Sequence, residues 1–192
     1  MNATQTPNTT PAALILERYA SSKETLLLAK EKPLAVDLLD GLVADSEFDS
    51  AIDLLAHWLP PQYAVWWGCL CVWEIQREKE TPELHAAMQL IVAWLQNPTE
   101  DNRRMLEKIE KLFPARHPVG LLAKSAVFSG GSVASVGLPA VAPPKFLFAN
   151  FLSNTVKLIA AKSAPADYAS RRKQILRLGK EVLHGANRWE RS

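Results

Sequence analysis

The segment AVWWGCLCVW, residues 64–73, most constrains what this chain can fold into. It has no charged residue, and it holds three of the six tryptophans and both cysteines. Such a run is stable in water only when other elements bury it, because apolar surface is driven out of water. It is also too short for a membrane span, which needs about 18 apolar residues. With 192 residues, 48% of them hydrophobic, the chain can build a sizeable core around this run.

Helix start and stop signals recur along the chain, and alternation typical of strands is not sustained. Thr10-Pro11 and Thr81-Pro82 each combine a capping side chain with a proline suited to the first helical turn, and Ser46 is predicted to cap another helix. Pro60-Pro61 ends one helix and begins the next. Because the connections are short, consecutive helices are expected to run antiparallel. The sequence predicts an all-α fold of about eight to nine helices, stacked as antiparallel hairpins around the Trp-rich helix.

The predicted division of the chain is a disordered lead at 1–10, a single helical domain at 11–186 and a tail at 187–192. The domain contains a long loop at 129–144, with three glycines, three prolines and no charge. A connection of this length within a compact domain is typically functional or disordered. Its valines and Leu138 predict that it packs on the protein.

Charge is distributed unevenly along the chain. Residues 162–192 carry eight lysines and arginines against three acidic residues, whereas the whole chain has a net charge of only +2. So small a net charge gives no reason to expect nucleic-acid binding. The basic side chains of the last predicted helix form either a solvated face or a docking site for an acidic protein surface. They are Arg171, Arg172, Lys173, Arg177 and Lys180.

Neither the cysteines nor the other polar motifs form a catalytic or metal-binding pattern. Cys69 and Cys71 point to opposite sides of a helix, so they cannot bind one ion, and we predict buried, reduced thiols of a cytoplasmic protein. His57 is the histidine that would face Cys69 if a reactive pair existed. The tryptophans are predicted to pack in the core, and Trp67 is the one expected to be exposed, if any is. We predict no cofactor, no metal and no catalytic residue.

Three segments together resemble an uncharacterised all-helical bacterial family of the domain-of-unknown-function kind. They are an LP-x-x-x-A-V-W-W segment at residues 59–67, a loop in which Phe128 precedes Ser-Gly-Gly-Ser, and Leu178-Gly179 in the last helix. The resemblance covers roughly residues 10 to 186. It implies an accessory, adaptor or chaperone-like role, because members of that family are often encoded near type VI secretion machinery. It implies no catalytic residues.

The sequence therefore favours a non-enzymatic adaptor, chaperone-like or accessory protein of a bacterial secretion system, acting by protein–protein binding. The partner would be a secretion component or an effector; a homo-oligomer stays open, and no membrane span is expected. The predicted partner-binding residues are Ser129, Gly130, Gly131, Ser132, Pro143, Pro144, Arg171, Arg172, Lys173 and Arg177. One alternative is an enzyme or small-ligand sensor with a pocket under the 129–144 loop, lined by tryptophans and His57 or His117. The other is an immunity protein, which would need a strongly charged face.

Overall fold

The structure, a computed structural model, describes residues 7–76, 81–114, 116–162 and 165–186. The predicted tail at 187–192 and residues 1–6 of the predicted lead lie outside these ranges. The helices are α1 (Ala12–Leu16), α2 (Lys23–Glu31), α3 (Ala35–Ala44), α4 (Phe48–Trp58), α5 (Pro61–Gln76), α6 (Pro82–Gln96), α7 (Glu100–Met105), α8 (Glu107–Leu112), α9 (Pro118–Val127), α10 (Leu147–Ala161) and α11 (Tyr168–Leu183). Within the described ranges the only β-type pairing is a single bridge between Pro11 and Leu34. The all-α prediction is confirmed.

Hydroxyl side chains cap several of these helices, as predicted for Thr81. The prediction that Thr10 caps α1 is wrong, because Pro11 occupies the N-cap position and no side chain caps that helix. Ser22, Thr81 and Thr99 each accept the amide hydrogen of the residue three positions further on, at 3.1–3.2 Å. The prediction that Ser46 is such a cap is wrong. Ser46 has a φ of 64° because the chain turns back sharply after α3, and Glu47 occupies the N-cap position of α4.

The core is centred on two helices rather than one. The Trp-rich helix α5 packs against α9, α10 and α11, and α10 in turn packs against α4 and α9. Trp67, Cys69 and Cys71 are fully buried on α5. Among the described residues, no helix is long and apolar enough to cross a membrane.

Trp67 lies in the core, as predicted for the tryptophans in general, although it was the one expected to be exposed if any is. Its side chain is 0% exposed, and its indole Nε1 donates a hydrogen bond of 3.0 Å to the main-chain oxygen of Ile175. A Cβ added at Gly179 would lie 2.7 Å from Cε2 of Trp67, so α11 approaches this ring closely because it has a glycine there. The outer side of α5 instead carries Trp66 and Trp73, both half-buried, with their ring centroids 5.5 Å apart.

The N-terminal residues of the described chain are part of the folded structure. Residues 7–9 form a 3-10 turn, and Thr10 is buried with its main-chain oxygen accepting the amide hydrogen of Ala35 at 2.8 Å. The predicted disordered lead at 1–10 is therefore wrong for residues 7–10. Backbone pairing with the start of α3 orders them, and the residues of the lead give no periodic pattern from which this could be predicted.

Candidate functional site

The 129–144 loop connects α9 to α10 and has a defined structure that it builds from its own polar groups. The hydroxyl of Ser132 accepts the amide hydrogens of Ala134 and Val141 at 3.1 and 3.0 Å. The amide of Val133 donates to the main-chain oxygen of Val141 at 2.8 Å. At the start of the loop, the hydroxyl of Ser129 donates to the main-chain oxygen of Ala126 at 2.6 Å. These bonds close residues 132–141 into a compact turn structure.

A buried arginine from α7 ties the start of the loop to the body of the protein. The Arg103 side chain is only 4% exposed. Its Nη1 donates to the main-chain oxygen of Val127 at 2.7 Å, and its Nη2 donates to that of Ser132 at 2.7 Å. Its Nε and Nη2 also bond the two carboxylate oxygens of Glu100, at 2.8 and 2.6 Å. Such two-pronged arginine–carboxylate pairs fix geometry strongly.

Arg104 extends this attachment further into the loop. Its Nη2 donates to the main-chain oxygens of Ser132 and Ala134 at 3.2 and 2.9 Å, and its Nε bonds Glu100 at 2.9 Å. The hydrogen bond from Arg103 is the main cause that lowers the pKa of Glu100 below its usual value. We call Glu100, Arg103 and Arg104 the arginine clamp.

Gly131 is required at the place where the clamp meets the loop. Its φ is 69°, a conformation that other residue types rarely adopt. A Cβ at this position would lie 2.6 Å from Nε of Arg103 and closer still to Oε2 of Glu100. Ser129, Gly130, Gly131 and Ser132, which the sequence singled out, are thus brought together at the base of the loop.

Beyond its base, the loop exposes aliphatic side chains. Val133, Val136, Leu138 and Val141 are 40%, 84%, 64% and 53% exposed. The prediction that the valines and Leu138 pack the loop onto the protein is therefore wrong. The arginine clamp anchors the backbone instead, and this leaves the aliphatic side chains facing solvent. Pro143 is half-buried and Pro144 is exposed where the loop returns to α10.

An open cleft of about 480 Å³ lies beside the base of the loop. Its walls are the start of α5 at residues 60–63, Trp94 of α6, the start of α7 at residues 98–103, and Ser129–Gly131. A pocket next to the 129–144 loop was expected under the ligand-binding alternative. His57 and His117, which that alternative also placed in the wall, do not line this cleft.

The predicted basic face of α11 is largely neutralised by neighbouring carboxylates. Arg177 pairs with Glu181 on the same helix, and Lys180 pairs with Asp40 of α3. Within the described part of the chain, no ion pair of Arg171 or Lys173 is found; Arg171 is half-buried and Lys173 is exposed.

Arg172 is not on the surface, contrary to the prediction. It is 4% exposed, and its guanidinium lies 3.2 Å from the ring centroid of Tyr168. The cause is helical spacing. Arg172 shares a face with the buried residues Ile175, Leu176 and Gly179, at three, four and seven positions along α11.

The cysteines do not form a reactive pair with His57. Both thiols are fully buried, and burial raises the pKa of Cys69 and that of Cys71 well above the usual thiol value. His57 uses its two ring nitrogens elsewhere, on the main-chain oxygen of Asp53 at 2.8 Å and on Asn150 at 3.2 Å. The described residues also contain no group of three His, Cys, Asp or Glu that could hold a metal ion.

Sequence reasoning missed the arginine clamp. Its members follow Thr99 directly in the segment EDNRR, which reads as an ordinary charged first turn of an outer helix. Arg103 differs from an ordinary surface arginine because a loop about 30 residues away in sequence lies against it. The residues around Arg103 in the sequence give no indication of that contact.

Comparison with curated proteins and with solved structures gave no significant match. A family profile does match residues 38–183, which contain α5, the arginine clamp, the 129–144 loop and all of α11. The match extends over most of the chain. The chain therefore belongs to DUF6931, a protein family of unknown function.

Proposed function

We propose that this protein is a non-enzymatic adaptor or chaperone-like protein that binds a protein partner through the 129–144 loop. The observation that carries the proposal is the combination of four exposed aliphatic side chains with a backbone held by the buried Arg103. Exposed apolar side chains grouped on one surface are typical of protein interaction sites. Because the loop is already ordered, little conformational entropy is lost when it binds.

A loop that only connected two helices would not need such an anchor. Arg103 is buried, and its carboxylate partner, Glu100, lies one turn earlier on α7. The clamp therefore orders the loop but keeps a charged side chain buried, which costs free energy. A purely connecting loop would also carry polar side chains at its exposed positions. In this loop the positions with the greatest exposure among large side chains are Val136 and Leu138.

The chemistry of the loop indicates the chemistry of its partner. The 16 residues carry no charge, so the contacting surface of the partner is expected to be apolar at its centre. Arg171 and Lys173 remain the basic side chains of α11 that a partner would reach. The assignment to a bacterial secretion system of the type VI kind, and to the cytoplasm, belongs to the proposal and rests on the sequence resemblance alone.

The test is quantitative capture of the partner from the native host. The variant Val136→Asp/Leu138→Asp places charges at the loop tip, and Leu112→Asp on α8 is the control, since Leu112 is 69% exposed on a different element. We expect the unchanged protein and the control to recover the same partner in a fixed ratio. The double variant should bind it at least about tenfold more weakly, because each interface anchor contributes more than about 1 kcal/mol. Undiminished binding by the double variant would refute the proposal.

The cleft beside the loop supports one alternative, a small-ligand sensor or enzyme with its pocket at Ser129–Gly131. Gly130 offers a specific test, because a Cβ there would meet no atom within 4 Å. Gly130→Phe should therefore place a ring into open space near the cleft without disturbing the fold. Under this alternative, a compound that raises the Tm of the unchanged protein should no longer do so for Gly130→Phe, while capture of the protein partner should persist.

The immunity-protein alternative has less support from the charges of the described residues. It requires a strongly charged face, whereas Arg177 and Lys180 of α11 are paired with carboxylates and Arg172 is buried. Only Arg171 and Lys173 remain of the predicted basic face.

A further inference from the structure

A polar cluster joins α4 to α10, and none of its members belongs to the 129–144 loop or to the arginine clamp. His57 of α4 is 2% exposed, and its Nδ1 donates to the main-chain oxygen of Asp53. The Asp53 carboxylate accepts hydrogen bonds from Ser153 Oγ at 2.5 Å and Lys157 Nζ at 2.7 Å, both on α10. Asn150, one turn earlier on α10, contacts Nε2 of His57.

The N-terminal residues 12–32, which we call the strap, lie against this cluster through Arg18 and Tyr19. The ring of Tyr19 stacks on the imidazole of His57, with 4.4 Å between centroids. Nη1 of Arg18 donates to the main-chain oxygen of His57 at 2.7 Å, and the guanidinium lies 5.1 Å from the ring centroid of Phe146. The strap lies before residue 38, where the family match begins, whereas the whole polar cluster lies within that match.

Few side chains attach the strap to the rest of the protein; in α1 they are Ala12 and Ile15, which are buried. In α2 only Thr25 is buried, and Leu26 and Leu27 are 46% and 60% exposed. The hydroxyl oxygens of Tyr19 and Ser21 are buried, and apart from an interaction of the Tyr19 hydroxyl with Ser21 neither has a hydrogen-bond partner of good geometry among the described residues. A buried polar group without a well-formed hydrogen bond is destabilising, so these two groups lower the free energy needed to lift the strap.

We infer that the strap is an acid-sensitive cover, released when His57 becomes protonated. The charges that face the imidazole explain the direction. Arg18 of the strap and Lys157 of α10 are cationic, and Asp53 of α4 is the anion, already paired with Lys157. An imidazolium would add a further positive charge beneath Arg18 and Tyr19. Lifting the strap removes Arg18 and admits water to the ring, so it relieves both the repulsion and the burial of that charge.

The polar cluster itself is suited to either charge state of His57. The carbonyl of Asp53 can only accept, so Nδ1 carries a hydrogen in both states. When the ring is neutral, its Nε2 accepts a hydrogen bond, and the NH₂ group of the Asn150 side chain can donate it. When the ring is protonated, its Nε2 donates a hydrogen bond, and Oδ1 of Asn150 at 3.2 Å can accept it. Because the two amide orientations have the same shape, protonation leaves the α4–α10 contact intact and acts on the strap.

The electrostatic balance of the covered ring agrees with this geometry. Burial is the main cause that lowers the pKa of His57. The hydrogen bond to Asp53, the charge of Asp53 and the hydrogen bond to Asn150 oppose this effect, and Arg18 lowers the pKa by the smallest contribution. With the strap lifted, the pKa returns toward the ordinary histidine value of about 6.5. Between the two pKa values, the equilibrium constant for release therefore rises up to about tenfold for each unit by which the pH falls.

Hydrogen–deuterium exchange of the whole protein tests the inference, with rates corrected for the intrinsic effect of pH. As the pH falls below about 6.5, amides of residues 12–32 should lose protection while those of α9 and α10 keep theirs. Histidine resonances followed by NMR in the same samples should place the titration of His57 at the pH where protection is lost. Loss of protection in the strap and the core together, or a strap that stays protected after His57 has titrated, would overturn the inference.

Two variants separate His57 from the other histidines. His57→Gln removes the titrating group, so the protection of the strap should no longer depend on pH. His85→Gln is the matched control, because His85 is exposed on α6, and it should behave as the unchanged protein does. If His57→Gln fails to fold, the coincidence of titration and exchange in the unchanged protein still decides the question.

Discussion

Replacing Arg103 by methionine should weaken both the fold and the order of the 129–144 loop. Methionine keeps most of the aliphatic volume, so the loss is mainly that of hydrogen bonds. The buried main-chain oxygen of Val127 loses its bond from Nη1, which costs about 1–3 kcal/mol. The other two partners lose less, because Glu100 is 45% exposed and Ser132 keeps a bond from Arg104. We therefore expect a fall of about 2–3 kcal/mol in the free energy of unfolding.

Urea unfolding measures this fall, and a thermal scan should show a Tm lower by roughly 5–10 °C for a protein of this size. Exchange of the Val133 and Val141 amides, which close the loop, should accelerate more than exchange in α10. Arg171→Met is the control, with an expected change within about 0.5 kcal/mol, since no described residue forms an ion pair with Arg171. An Arg103→Met protein as stable as this control, with a loop equally protected, would refute the clamp.

Four further predictions follow from buried groups. Trp67→Phe should lower the free energy of unfolding by about 2–3 kcal/mol, measured in urea, because it loses a buried hydrogen bond and ring volume. Gly179→Ala should lower it by about 1–3 kcal/mol, despite the better helix propensity of alanine, because its Cβ would overlap neighbouring core side chains. Cys69 and Cys71 should resist maleimide labelling, read by mass spectrometry, until the protein is unfolded. Stability should fall as the pH drops below about 6.5, because the lowered pKa of His57 lets the unfolded chain bind more protons, and His57→Gln should flatten this part of the curve.

The helices could be predicted from the sequence because their signals are local. Thr81-Pro82 acts at the helix start where the sequence places it, and the uncharged run at 64–73 lies in the core. Ser46 shows the limit of this reasoning. The hydroxyl of Ser46 could cap a helix equally well, yet the turn after α3 places Glu47, and not Ser46, at the N-cap position of α4.

The orientation of side chains around a helix depends on neighbours that are distant in sequence. Trp66 and Trp67 are adjacent and equally apolar, and the approach of Gly179 selects Trp67 for the core. In the same way, Arg172 lies on the packed face of α11 although the sequence around it is basic. The sequence singled out the 129–144 loop as the candidate site, but the anchor of that loop, Arg103, comes from a helix that showed no functional signal.

The central claim is that the 129–144 loop is the protein-binding surface, and site-specific photo-crosslinking in the native host tests it most directly. A photoreactive amino acid is placed at Val136 or Leu138 in the loop, and at Leu112 on α8 as the control. We predict one shared adduct from both loop positions, absent from the control and lost when Arg103→Met disorders the loop. No adduct from either loop position, or the same adduct from Leu112, would contradict the account.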